Sequence, residues 1–75
     1  MKISFSRHAR RRIRLYKIPE SVILQIIENT HLALGKHTLI QKVADKELPV
    51  KIVVVVEESG ITIVSAYPLK KGLIQ

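Results

Sequence analysis

A chain of 75 residues, 47% of them hydrophobic, has room for one small domain spanning residues 1–75 and is too apolar for a disordered tail. It contains no cysteine, which excludes a disulfide framework, a thiolate metal site and a cysteine nucleophile. The formal net charge is +7, and the whole excess lies in the first 17 residues, where seven basic residues precede any acid. The remaining six basic residues balance the six acids.

This concentration of positive charge predicts a partner that carries phosphate, or an acidic protein. A solvated helix face that aids solubility is the alternative. The longest apolar run, residues 52–56, is too short to cross a bilayer, and charge from Lys2 onward excludes a signal peptide. We therefore expect a soluble, cytoplasmic protein without a membrane partner.

The stretch that follows Ser4 and Ser6 predicts a first helix, because either serine is a suitable N-cap. Apolar residues recur there at helical spacing, and the pattern ends near Lys17. These residues are Phe5, Ala9, Ile13 and Tyr16, of which we expect the last three to face the core.

The basic residues of this helix fall into two sets. His8 and Arg12 are four residues apart and lie together on the border of the apolar face. The residues expected to point away from the core are Arg7, Arg10, Arg11 and Arg14.

The rest of the chain predicts one more helix and then strands. Pro19 suits a first helical turn, so the second helix should run from there to Asn29. After His31 the apolar residues recur with period two and predict the strands "KHTLIQKV", "VKIVVVVE" and "ITIVSAY". A turn is expected at residues 45–49. The segment "KIS", near the start of the chain, is a candidate for a short extra strand. The unbroken valines predict a middle strand that is buried on both faces. We expect an α+β fold in which two N-terminal helices pack on a three- to four-stranded antiparallel sheet.

The last two strands should form a hairpin that brings polar residues together. If the loop between them contains residues 58–60, Glu57 lies opposite Ile61 and Lys51 lies opposite Tyr67. Lys51, Ser65 and Tyr67 would then share one face of the sheet.

Common catalytic signatures are missing, since there is no glycine-rich phosphate loop, no HExxH and no nucleophile elbow. The histidines are widely spaced and the acids are not clustered, so we expect neither a metal nor a cofactor.

RNA cleavage without metal needs a proton acceptor, cations for the phosphate and a proton donor. The residues of suitable type are His8, Arg12, Lys51 and Tyr67. Each also has a structural explanation: a helix cap for His8, solvated or snorkelling positions for the cations, and an aromatic edge of the core for Tyr67.

The string "SRHARRRIRLYKIPESVILQII", followed by the strands and a final "ITIVSAY", resembles DUF4258, a family of small bacterial and archaeal proteins. Members typically show Ser-x-His-Ala-x-x-Arg at the first helix, an Ile before the second and a strand ending in a Val-x-Thr-x-Tyr-like segment. The positions similar to this pattern are Ser6, His8, Ala9, Arg12, Ile18 and Tyr67. Three positions depart from it: Tyr16 and Lys17 stand where many members carry arginine and glycine, and Ser65 replaces a threonine.

The family is similar to the wider RelE/ParE toxin superfamily, and this resemblance implies an RNA-cleaving toxin or a relative that has lost the activity. His8 would then transfer a proton, Arg12 and Lys51 would clamp phosphate, and Tyr67 would stack or donate. An acidic or amphipathic antitoxin would be the protein partner. Two other hypotheses stay open: a ParE-like toxin directed at a protein, and a non-catalytic module that binds RNA or DNA. In that module the residues that track phosphates would be Arg7, Arg10, Arg11, Arg14 and Lys17.

Overall fold

The computed structural model describes residues 2–42 and 49–69, which form six elements in the order β1-α1-α2-β2-β3-β4. The strands are β1 (Lys2–Phe5), β2 (Gly35–Gln41), β3 (Val50–Glu57) and β4 (Gly60–Pro68). The helices are α1 (Arg7–Leu15) and α2 (Glu20–Glu28). Both predicted helices and all the predicted strands, including the short first one, are confirmed. Most of the turn predicted at residues 45–49 lies outside the described residues.

The four strands form one mixed sheet in the order β1-β4-β3-β2. β3 is antiparallel to both of its neighbours, whereas β1 is parallel to β4, from the pair Lys2 and Gly60 to the pair Phe5 and Ile63. The expected antiparallel sheet is therefore wrong at the β1 edge. A pattern of period two shows that a segment is a strand, but it does not encode the direction of a distant partner.

One face of the sheet carries the hydrophobic core, and both helices contribute to it. Buried residues alternate along β3 and β4, as expected of strands with one covered face. The buried cluster consists of Ala9, Ile13, Ile18, Ile23, Ile27, Val50, Ile52, Val54, Val56, Ile61, Ile63 and Ala66. Ala9 and Ile13 are thus confirmed as core residues of α1, while Tyr16 is partly exposed and packs against the cluster.

The expectation that the valine-rich strand is buried on both faces is wrong. Lys51, Val53 and Val55 alternate with the core residues of β3 and are only partly buried. Among the described residues both helices pack on the same side, so the other face of the sheet is left open. A run of β-branched residues reports strand propensity as well as burial, and here strand propensity accounts for Val53 and Val55.

The loop of the β3–β4 hairpin is shorter than expected. Glu57 pairs with Gly60, so two residues, Glu58 and Ser59, form the loop. The expected pairing of Glu57 with Ile61 is therefore wrong.

A β-bulge farther along β4 corrects the register. Val64 has no partner on β3, because the register shifts by one residue after Val53. From this point Val53 pairs with Ser65, and Lys51 pairs with Tyr67 as predicted. The extra residue moves the following side chains of β4 to the other face, so that Ser65 and Tyr67 lie on the open face of the sheet with Lys51.

Helix α1 is capped at its C-terminus by a Schellman motif. The Ile18 N–H donates to the Ile13 carbonyl at 2.8 Å, and the Lys17 N–H donates to the Arg14 carbonyl at 3.3 Å. This arrangement requires a left-handed residue, and Lys17 supplies it with a φ of 55°. Ile13 and Ile18 are both buried, so the motif turns the chain back into the core before α2.

Candidate functional site

Three of the four predicted catalytic residues come together at one end of the open face. The Arg12 guanidinium carbon lies 5.7 Å from the centre of the Tyr67 ring, and the Lys51 Nζ lies 5.9 Å from the same point. All three residues are partly buried. We call them the Tyr67 cluster.

The three residues meet because of how α1 and β4 are placed. Lys51 and Tyr67 are cross-strand partners, so their side chains leave the sheet on the same face. β1 pairs with β4 only as far as Ile63, and α1 packs against β4. Beyond the bulge no described strand lies on that side of β4, so Arg12 reaches the ring from α1.

The Tyr67 cluster is suited to binding an anion. The face of a tyrosine ring has a negative electrostatic potential, which stabilises a nearby cation by about 0.5–1 kcal/mol at an exposed site. Within residues 2–42 and 49–69, neither Arg12 nor Lys51 has an acidic partner. Guanidinium and ammonium groups bind phosphate oxygens strongly, and a phenol can donate a further hydrogen bond. The cluster therefore has the donors needed to hold a phosphate group.

His8 stands apart from this cluster. It is exposed, and no hydrogen bond, ion pair or ring contact joins its side chain to another described residue. Together with Arg7 and Arg11 it lines an open depression of about 280 Å³. The helix cap proposed as its structural role belongs instead to Ser6, whose hydroxyl accepts from the Ala9 N–H.

A second basic surface lies along α1, and we call it the arginine face. It lines an open depression of about 560 Å³ together with Leu15, a side chain that is 67% exposed. The arginine face consists of Arg7, Arg10, Arg11 and Arg14. Sequence reasoning missed Leu15, although its position beside Arg14, away from the apolar stripe, was a sign that it would be exposed.

The arginines of this face are not equivalent. Arg10 places Nη1 3.7 Å from the Glu20 Oε2, and its guanidinium lies 5.8 Å from the centre of the Phe5 ring. The other three have no hydrogen bond, ion pair or ring contact within the described part of the chain. Lys17, the remaining predicted nucleic-acid contact, is exposed at the C-terminal cap of α1. The arginines that are free to meet an anion are therefore Arg7, Arg11 and Arg14.

The described residues also bear on metal binding and on membrane insertion. The described residues include no group of three or more His, Cys, Asp or Glu side chains that could hold a metal ion. Within the same residues, neither helix is long and apolar enough to span a membrane.

The sequence matches no protein-family model, and neither curated proteins nor solved structures provide a significant match.

Proposed function

We propose that this protein binds RNA as a toxin-like protein of the RelE/ParE type, with the Tyr67 cluster and the arginine face holding the phosphate backbone. The observation that carries the proposal is that the Arg12 and Lys51 side chains converge on one tyrosine ring without an acidic partner among the described residues. An anion beside the ring would be attracted by both cations, because no acidic side chain of the described residues neutralises either charge.

The charge distribution supports a nucleic-acid partner. The net charge of +7 arises from the residues of β1, α1 and the turn that follows. The Tyr67 cluster adds an aromatic ring to this charge, and proteins that bind single-stranded nucleic acids combine the same two features.

Cleavage of the bound RNA is the second candidate function, and its support is the residue type of His8 and its four-residue spacing from Arg12 on α1, outside the Tyr67 cluster. His8 lies one helical turn before Arg12, and its exposed ring has no internal partner in the described residues. In this mechanism His8 takes the proton of a 2′-hydroxyl, and the 2′-oxygen attacks the phosphorus. Arg12 and Lys51 stabilise the charge on the phosphate, and Tyr67 gives a proton to the departing 5′-oxygen. The products are a 2′,3′-cyclic phosphate and a 5′-hydroxyl.

The toxin part of the proposal has its support in the order of elements and in the first helix. Two helices precede a β-meander, and the Ser-x-His-Ala-x-x-Arg pattern of DUF4258 falls on the N-cap and first turns of α1. In a toxin–antitoxin pair the arginine face would receive the acidic or amphipathic antitoxin. A ParE-like protein target and a non-catalytic nucleic-acid module remain as the competing outcomes of the experiment below.

The binding experiment compares two lysine substitutions that remove the same charge. Lys51→Gln removes a cation of the Tyr67 cluster, whereas Lys36→Gln removes an exposed cation that lies on the same open face but outside the cluster, opposite Val55 and four residues along β3 from Lys51. We expect Lys51→Gln to weaken binding of a labelled single-stranded RNA about tenfold, and to lower the slope of log affinity against log salt by roughly 0.7. Fluorescence anisotropy at several salt concentrations measures both quantities. Equal effects of the two substitutions, or binding that does not respond to salt, would remove the Tyr67 cluster from the interface.

The same protein tests the cleavage step. Wild-type protein is incubated with bulk RNA in EDTA, and the ends of any fragments are identified. Cyclic phosphate and 5′-hydroxyl ends support the proposed transesterification. Intact RNA together with salt-dependent binding favours the non-catalytic module, whereas no binding at all favours a protein target.

A further inference from the structure

Ser6 links the start of α1 to the bulge of β4. Its hydroxyl accepts a hydrogen bond from the Ala9 N–H at 3.0 Å and donates one to the Val64 carbonyl at 2.9 Å. Its backbone N–H donates to the Ile63 carbonyl at 2.9 Å, which continues the pairing of β1 with β4. One side chain therefore caps the helix and binds the residue that β3 leaves unpaired.

The bulge decides on which face Tyr67 lies. Without the bulge, strict alternation through Val64 would turn Ser65 and Tyr67 toward the helices, and Ala66 away from them. With it, Ala66 is buried and Tyr67 lies beside Lys51. A bulged residue leaves backbone groups outside the regular ladder, and the Ser6 hydroxyl supplies a donor to one of them.

The hydrogen bond from the Ser6 hydroxyl to the Val64 carbonyl also constrains the start of the helix that carries Arg12. Arg12 lies about 9 Å along the helix axis from Ser6, at about 1.5 Å per residue. A tilt of about 10° at the cap would move the Arg12 backbone by about 1.5 Å, which is enough to weaken a cation–ring contact with a reach of about 6 Å.

We propose that Ser6 is a positioning residue, whose hydroxyl holds α1 on the bulge of β4 and thereby sets Arg12 against Tyr67. The role in RNA binding rests on the proposed function, whereas the effect on the Arg12–Tyr67 contact does not. Any ordinary N-cap would stabilise α1, but only a residue that also donates to Val64 adds a side-chain hydrogen bond between the start of the helix and the bulge.

Three substitutions of Ser6 separate the positioning role from the cap. Ser6→Asp keeps the acceptor for the Ala9 N–H but cannot donate to Val64, since a carboxylate only accepts. Ser6→Thr keeps both bonds, and Ser6→Gly removes both without adding charge at a position where glycine is tolerated. The matched control is Thr30→Val, because the Thr30 hydroxyl also donates to a helix carbonyl, that of Ile26 at 2.7 Å.

The first measurement is the NMR chemical shift of the Arg12 side-chain protons. The part of this shift that comes from the ring current of Tyr67 is the part that is lost in Tyr67→Leu. We expect this ring-current shift to fall by more than half in Ser6→Asp and Ser6→Gly, and to persist in Ser6→Thr and Thr30→Val. If Ser6→Asp and Ser6→Gly keep the shift, Ser6 is only a cap and the proposal is wrong.

The second measurement is the affinity for single-stranded RNA at a temperature where all variants are folded. We expect Ser6→Gly to lose about tenfold in affinity, while Ser6→Thr and Thr30→Val stay within twofold of wild type. Equal affinity losses in Ser6→Gly and Thr30→Val would indicate a general structural effect and overturn the role in binding. If the wild-type protein binds no RNA, the proposed function fails, and the ring-current shift still decides whether Ser6 positions Arg12.

Discussion

A methyl group on Gly60 would overlap the carbonyl oxygen of Lys2. The two residues are partners in the parallel pairing of β1 with β4, and Gly60 also has a φ of 154°. Gly60→Ala should therefore lower the free energy of unfolding by about 2–4 kcal/mol, through backbone strain and overpacking. Gly35→Ala is the control, because Gly35 also has a positive φ but no atom within 4 Å of an added Cβ. Urea unfolding should show a clearly larger loss for Gly60→Ala, and similar losses would argue against close contact between β1 and β4.

Two neighbouring valines of β3 test which face of the sheet is covered. Val54 is fully buried and Val55 is only partly buried, on the opposite face. We expect Val54→Ala to cost about 2 kcal/mol or more of the free energy of unfolding, because a cavity is left in the core. Val55→Ala should cost less than half as much. A loss under about 0.5 kcal/mol for Val54→Ala, typical of a surface site, would place that residue outside the core.

Lys17 offers a way to stabilise the protein. It holds a left-handed conformation with a φ of 55°, which costs an ordinary residue about 1 kcal/mol and costs glycine almost nothing. Lys17→Gly should therefore raise the free energy of unfolding by about 0.5–1 kcal/mol. Lys17→Gln removes the same charge and should bring no such gain. Thermal or urea unfolding measures the difference, and a loss of stability in Lys17→Gly would contradict the Schellman geometry.

Adjacent arginines on α1 should behave differently in RNA binding. Arg11 has no internal partner among the described residues, whereas Arg10 pairs with Glu20 and lies over Phe5. Arg11→Gln should weaken RNA affinity and flatten its salt dependence, while Arg10→Gln should affect affinity less and cost about 0.2–1 kcal/mol of stability. Anisotropy titrations at several salt concentrations compare them. A stronger effect of Arg10→Gln on binding would mean that the Glu20 pair opens when RNA binds.

His8 tests the cleavage hypothesis at the residue level. If His8 transfers a proton, His8→Ala should reduce the rate of RNA cleavage by about 10²- to 10⁴-fold. Affinity and stability should hardly change, because the exposed ring has no partner among the described residues. Arg12→Ala should instead lower both cleavage and affinity. Unfolding of His8→Ala would show a structural role, and unchanged cleavage would exclude His8 as the proton acceptor.

The local elements could be predicted because their signals are local. Apolar spacing places Ala9 and Ile13 in the core, and Ser6 and Pro19 mark the starts of the two helices. The Lys51–Tyr67 pair is a different case, because the loop expected from the sequence is one residue longer than the actual loop and no sequence signal marks the bulge at Val64. The two differences cancel, so the expected pairing of Lys51 with Tyr67 is the one that forms.

The features that could not be predicted depend on residues far apart in the chain. The bulge is stabilised by a hydroxyl 58 residues away, and a serine before a helix looks the same whether or not it binds a distant strand. The parallel direction of β1 and the contact of Arg12 with Tyr67 follow from the same long-range packing. The arginine face had a clear charge signal, yet the pairing of Arg10 with Glu20 depends on how α1 and α2 meet.

The parallel pairing of β1 with β4 also sets when this chain can fold. During synthesis β1 and α1 leave the ribosome before Gly60–Pro68, the strand on which they pack, has been made. Each helix has nine residues, too few to persist in water without tertiary contacts. Pairings between distant segments form slowly, because loop-closure entropy is lost before the contacts compensate for it. Folding therefore requires that β4 has been made, and until then the charged α1 segment lacks the strand on which it packs.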